Sequence, residues 1–149
     1  MEIKEILYQL CNKYLTDKAG EIKRIIDDAI EAANNETKSS VGDKYETGRE
    51  MMQQEIELNV ARLSELTKQR ELLDRINPTL RYSIAHPGAL VRTNNGDYYI
   101  TIAAGQLKFG GKVYYAISPA SPIGEMFSGK KAGDKFHFNG KDYLIESIL

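Results

Sequence analysis

The chain has 149 residues, of which 42% are hydrophobic and 28% charged, and a net charge of −1. That suits one ordinary globular domain or two small ones and excludes a disordered chain. No apolar run approaches the roughly 20 residues needed to span a bilayer, and the charged N-terminus lacks the apolar centre of a signal peptide, so a cytoplasmic protein with no membrane partner is expected.

Charge is unevenly spread. Residues 1–77 hold 16 acidic and 12 basic side chains, whereas residues 78–149 hold 5 and 8. Neither half has the strong basic stripe of a nucleic-acid-binding surface. The single cysteine, Cys11, permits no intramolecular disulfide and no cysteine-based zinc motif, and it reads as a small apolar packing residue.

In chain order, Ile3, Leu7, Cys11, Leu15, Ala19, Ile22, Ile26, Ala29 and Ala33 form one stripe at spacings of three and four, which predicts an amphipathic helix over 2–36. Gly20, preceded by Thr16 and Asp17, marks a bend or break in it. The stretch 34–50 then has the chemistry of a reversal. Thr37, Ser39 and Ser40 can bond their own backbone, Gly42 accepts positive φ, and Asp43 is a helix N-cap three residues before Glu46.

A second helix is expected over 43–77. Met52, Ile56, Leu63, Leu66, Leu73 and Ile76 carry its apolar register, and Asn59 and Arg70 are polar interruptions that can fix pairing. The two helices predict an antiparallel hairpin with its tip at about 36–43 and arms of roughly 50 Å if straight. Asn77-Pro78 ends the second arm.

After a linker at 78–87 the composition turns to tyrosine, phenylalanine, isoleucine and valine between turn signals. Asn94-Asn95-Gly96-Asp97, Gly110-Gly111 and Asn139-Gly140 mark hairpins, the last a type I′ candidate. Strands are expected near 89–93, 97–103, 106–109, 112–118, 134–138 and 141–148. Alternation at Tyr98, Ile100 and Ile102, and at Val113, Tyr115 and Ile117, gives each strand one buried face, and the strands should form a small antiparallel sheet. Ser121-Pro122 opens one short helix as N-cap and first helical residue, Ile123, Met126 and Phe127 give it an apolar side, and Gly129 fits the position after its end. The expected class is therefore α+β: a hairpin over 1–77, a linker, and a β domain over 88–149 with the short helix on its open face.

Two places carry a resemblance. Ser121-Pro122-Ile123, Gly129-Lys130, Gly133-Asp134 and Tyr143-Leu144-Ile145 in the second half, and Asp43-Lys44-Tyr45 with Arg49-Glu50 at the start of the second helix, resemble the Gre-type transcript cleavage and elongation factors of bacterial RNA polymerase. The resemblance implies an FKBP-like C-terminal domain docked at the rim of the polymerase secondary channel, with the hairpin reaching toward the active centre. It places partner contacts at Ala120, Ser121, Pro122 and Ile123, although Ala120 stands where the family often carries Asp or Asn.

In cleavage-active members two tip acids help the polymerase hold a second magnesium ion and a water. Here Lys38 and Val41 stand at those positions, leaving Glu36, Asp43 and Glu46 as the acids of the tip, able to add an oxygen or two to a shared polymerase magnesium. The implied protein is a monomeric accessory factor rather than an enzyme, with no cofactor and no metal of its own, partnered by core polymerase and at most indirectly by nascent RNA. Two other readings stand beside it: a prolyl isomerase built on the FKBP-like domain, and a structural module whose hairpin oligomerises.

Other constellations read as structure. His86 and His137 lack neighbouring acids or cysteines at ligand spacing, and Gly110-Gly111-Lys112 and Gly129-Lys130-Lys131 fit turns rather than phosphate loops. Lys130, Lys131, Lys135 and Lys141 read as a solvated stripe. Tyr98-Tyr99 and Tyr114-Tyr115 read as strand pairs shared between two faces.

Overall fold

A computed structural model describes residues 2–38 and 42–149, with the side chains of 36–38 and 42–46 outside the description. Helix α1 runs over Ile3–Lys38 and α2 over Gly42–Asp74, forming a helical hairpin; six strands follow, β1 (Leu90–Thr93), β2 (Gly96–Ile100), β3 (Gly105–Phe109), β4 (Lys112–Ile117), β5 (Lys135–Phe138) and β6 (Lys141–Ile148), with α3 (Pro122–Phe127) between β4 and β5. The chain divides into two compact units: one of residues 1–14 with 69–149, the other of residues 15–68.

In the unit of residues 15–68 the predicted stripe is the covered side of each helix. Ala29 is buried, Ile22, Ile26, Met52, Ile56, Leu63 and Leu66 are half-buried, and their flanking residues are largely exposed. Asn59 is buried at its predicted core position, where its amide donates to the Glu55 carbonyl at 2.9 Å, so the polar head is satisfied within its own helix. The expected break at Gly20 does not occur. The helix is continuous through it because a single glycine costs only about 1 kcal/mol against alanine, less than the surrounding apolar stripe gains by burial.

The other unit holds the sheet, in the order β3-β4-β2-β1-β6-β5. It is mixed, which corrects the antiparallel expectation: β2 and β4 pair in parallel, with Tyr98 beside Tyr115 and Ile100 beside Ile117. The hairpin signals specify only sequence neighbours. β4 folds back from β3 and inserts between β3 and β2, a non-local pairing that no turn residue encodes.

The expectation of one buried face per strand is corrected too. In β1 and β2 both faces are covered: Leu90 and Tyr99, paired across the strands, face one way, and Val91 and Tyr98 the other. In β4 Tyr115 and Ile117 are half-buried against the core as expected, but Val113 is exposed and the other face, with Tyr114 and Ala116, is the more deeply buried. The paired tyrosines do divide between the faces as read.

One face packs on α3. Val91, Tyr98, Ile100, Phe136, Tyr143 and Ile145 surround a fully buried Phe127, whose ring lies 5.1 Å from Tyr98 and 5.0 Å from Phe136. The opposite face meets the start of α1, where Cys11 and Tyr8 come close enough to Tyr99 to act on its hydroxyl. Leu7, Cys11, Leu73 and Ile76 are buried there. The ends of the hairpin thus belong to the core of the sheet unit, held by Tyr8 Oη donating to the Leu73 carbonyl at 3.3 Å and by Arg70 donating to the side chain of Asn12.

The segment between α2 and β1 is not a free linker. α2 ends at Asp74, three residues before the expected 77, in a tighter turn in which Ile76 N–H donates to the Leu73 carbonyl at 3.0 Å. Ala85 is buried and exchanges backbone bonds with Lys130 at 2.7 Å and Gly129 at 3.2 Å.

Burial pushes the Cys11 thiol up from its ordinary value of 9.0 to about 12. Below pH 9 both the folded and the unfolded chain keep this proton. Above it only the unfolded chain loses the proton, so stability falls as pH rises toward 12, by up to about 1.4 kcal/mol per pH unit from this group. Urea denaturation at increasing alkaline pH is expected to show that fall, with a shallower slope in Cys11→Ala. In the native state at neutral pH, Cys11 is expected to resist alkylation.

Two fully buried hydroxyls, those of Tyr99 and Thr101, have no hydrogen-bond partner among the described residues. Burial also raises the Tyr99 pKa. Tyr99→Phe deletes an unsatisfied polar atom and keeps the ring, so it is expected to raise stability by about 1 kcal/mol; a lower melting temperature would contradict the packing described.

Candidate functional site

The residues singled out by sequence fall in two places. Glu36, Asp43 and Glu46 lie on the helices that flank residues 39–41, but their side chains lie outside the described residues, as does the expected capping of α2 by Asp43. Lys38 is outside in the same sense, and Val41 altogether.

Ala120–Ile123 form the entry to α3. Ser121 has extended backbone, φ −67° and ψ 157°, and its hydroxyl accepts from Gly124 N–H at 3.1 Å while donating to the Ser118 carbonyl at 2.6 Å. Ala120 N–H donates to Ser118 Oγ at 3.2 Å. Pro122 presets φ at the first helical position, where no N–H partner is needed. A Cβ at Gly124 would stand 2.1 Å from the Ser118 carbonyl oxygen, so only glycine lets the turn close this tightly.

Ile123 is half-buried against the Phe127 cluster, while Ala120, Pro122 and Glu125 are exposed. The turn is therefore a small surface with a fixed backbone, clamped from below by aromatic packing. It offers shape and apolar contact, and its Ser121 hydroxyl is engaged on both sides by backbone groups.

Aromatic contacts fill the interior beneath it. Phe136 and Tyr143 stack at 4.9 Å, Tyr98 and Tyr115 at 5.4 Å. Burial, followed by the Tyr143 hydroxyl, raises the Tyr98 pKa. Lys130 Nζ sits 5.5 Å from the Phe136 ring centre, which takes one lysine of the stripe out of plain solvation.

Two arrangements were missed by sequence. His137 Nδ1 lies 2.7 Å from Asp142 Oδ1, which corrects the expectation that neither histidine has an acid nearby. The cross-strand register places them opposite one another, and the type I′ turn at Asn139-Gly140, φ 50° and 79°, dictates that register, so the signal was present in the turn. His86 stacks on Tyr82 at 4.8 Å.

The second is Lys4, 4% exposed, which donates to the Leu80 carbonyl and lies 4.9 Å from the Tyr82 ring centre. Burial, and then the Arg81 charge, lower its pKa. No sequence pattern announces a buried lysine on an amphipathic helix start.

Among the described residues no three His, Cys, Asp or Glu side chains converge as a metal site. Among them, too, no helix is long and apolar enough to cross a membrane. Comparison of the chain with protein-family models, curated proteins and solved structures finds no match to any of them.

Proposed function

We propose that this protein is a cytoplasmic accessory factor of bacterial RNA polymerase, a divergent member of the Gre type. Its FKBP-like sheet domain docks on the polymerase, and its helical hairpin enters the secondary channel. The observation that carries the proposal is the Ala120–Ile123 turn. The residues that resemble the family's closing motif form a backbone-fixed, solvent-facing turn braced on Phe127, which is what a docking contact needs.

Lys38 and Val41 cannot coordinate magnesium. The factor accordingly modulates the polymerase, by occupying the channel or competing for it, without strong stimulation of RNA cleavage. A prolyl isomerase is less well supported: the aromatic side chains that would have to surround a proline are stacked on one another in the core.

Pull-down with purified core polymerase is the test. Binding at micromolar concentration is expected, and its absence defeats the proposal. The combined Glu36→Ala, Asp43→Ala, Glu46→Ala variant is expected to bind within about twofold of the parent, because docking resides in the sheet domain. Collapse of binding in that folded variant would place the docking contact on the hairpin instead.

A further inference from the structure

Lys4 is 4% exposed and lines a cavity of about 270 Å³ together with Glu2, Ile3, Arg81 and Leu149. All five residues belong to the sheet unit. The volume falls below the range of about 300–1,000 Å³ usual for drug-sized ligands, so it suits only a small molecule.

The amine has unusual surroundings for a buried lysine. A buried ammonium ordinarily has a carboxylate beside it, because an unpaired charge away from water is costly. Glu2, whose charge acts on Lys4, is instead bound to Arg81 at 3.3 Å. Among the described residues no carboxylate lies within ion-pair distance of Lys4. What holds the amine is uncharged: its Nζ donates to the Leu80 carbonyl and stands 4.9 Å from the centre of the Tyr82 ring. Burial and then the Arg81 charge favour the neutral amine, with the Glu2 charge opposing them.

Desolvation and a neighbouring cation are two means by which a lysine becomes a nucleophile. From the cavity, the fixed amine and the missing carboxylate we infer that Lys4 is a covalent binding site for a small aldehyde, held as a Schiff base. The Nζ lone pair forms a bond to the carbonyl carbon, giving a carbinolamine. The nitrogen then forms its second bond to that carbon, and the carbonyl oxygen leaves with both amine protons as water. Amine and aldehyde thus give imine and water, with no oxidant or reductant. Once protonated from solvent, the imine has one N–H for the Leu80 carbonyl and the Tyr82 ring beside its positive charge, the contacts that Nζ makes now.

Lys68 is the contrasting case. Its side chain is 72% exposed and its charge is paired with Glu65 at 3.7 Å, so it has neither the cavity nor the unpaired amine. The Lys4 site is independent of polymerase binding, and its test does not use the polymerase.

Propionaldehyde with cyanoborohydride, which reduces the imine to a stable secondary amine, reads the site in the full chain at neutral pH. Peptide mass spectrometry then follows the label at each lysine. Lys4 is expected to take up label at least about fivefold faster than Lys68. In the guanidinium-unfolded chain the two are expected to label within about twofold of one another, because the burial and the approach of Arg81 are gone.

Arg81→Gln changes a side chain that is 69% exposed, removes the neighbouring cation and releases Glu2. Labelling of Lys4 in that variant is expected to slow about threefold or more, with Lys68 unchanged. Labelling of Lys4 no faster than Lys68, an advantage that survives unfolding, or an unchanged Lys4 rate in Arg81→Gln would each overturn the inference.

Discussion

Phe127→Ala is expected to destabilise the sheet unit by about 3–5 kcal/mol, a large part of the stability of a domain this size. The ring is fully buried and touches Tyr98, Phe136 and Tyr143 at centroid distances of 5.1, 5.0 and 6.4 Å. Truncation removes the transfer energy of the ring and leaves a cavity that three large aromatics cannot collapse into without leaving their rotamers. α3 is only six residues long and has no stability of its own, so losing Phe127 also frees the Ala120–Ile123 turn. Urea denaturation should show a lower midpoint, and on the proposed function polymerase binding should weaken in step. A change under about 1 kcal/mol would mean that Phe127 does not anchor α3.

Gly124→Ala is expected to cost about 2–3 kcal/mol through a different route. The new methyl would sit 2.1 Å from the Ser118 carbonyl oxygen, 2.9 Å from Ser121 Oγ and 3.0 Å from the Pro119 carbonyl carbon. Two of those neighbours are backbone atoms and cannot swing aside as a side chain would. The turn must open, breaking the bonds from Ser121 Oγ to the Ser118 carbonyl and from Gly124 N–H to Ser121 Oγ. A helix cap of this kind is worth about 1 kcal/mol on its own. The variant is expected to stay folded with a lower melting temperature and, on the proposed function, to bind polymerase more weakly than its stability loss accounts for. Ser121→Ala serves as the comparison: it breaks the cap without the clash, so it should fall between the parent and Gly124→Ala on both measures. Equal stability of Gly124→Ala and the parent would refute the close approach of α3 to Ser118.

How far the architecture could be read beforehand depended on the range over which each cue acts. Local cues were read well. The stripe from Ile3 to Ala33, the turn at Asn139-Gly140 and the Ser121-Pro122 start of α3 each settle the conformation of a few consecutive residues, and each element lies where they put it. Non-local pairing was read badly. Nothing near β2 says that β4 rather than β3 lies beside it, and Val113 alternates as convincingly as Tyr114 until both sides of the strand are known.

The site followed the same division. The capped turn was legible because Ser, Pro and Gly have specific backbone roles. The His137–Asp142 pair needed the register across a hairpin, and the Lys4 contact needed a backbone carbonyl 76 residues away.

The amino-acid order alone determined which segments are helix, strand and turn, and their bounds to within a few residues, since periodicity, capping and positive-φ positions act within a turn or two of the chain. Tertiary structure decided which strands are neighbours and which faces are covered. It also decided that the first fourteen residues join the sheet unit. Those outcomes depend on burying both faces of β1 and β2 at once, a condition no single segment can meet and only the assembled chain satisfies.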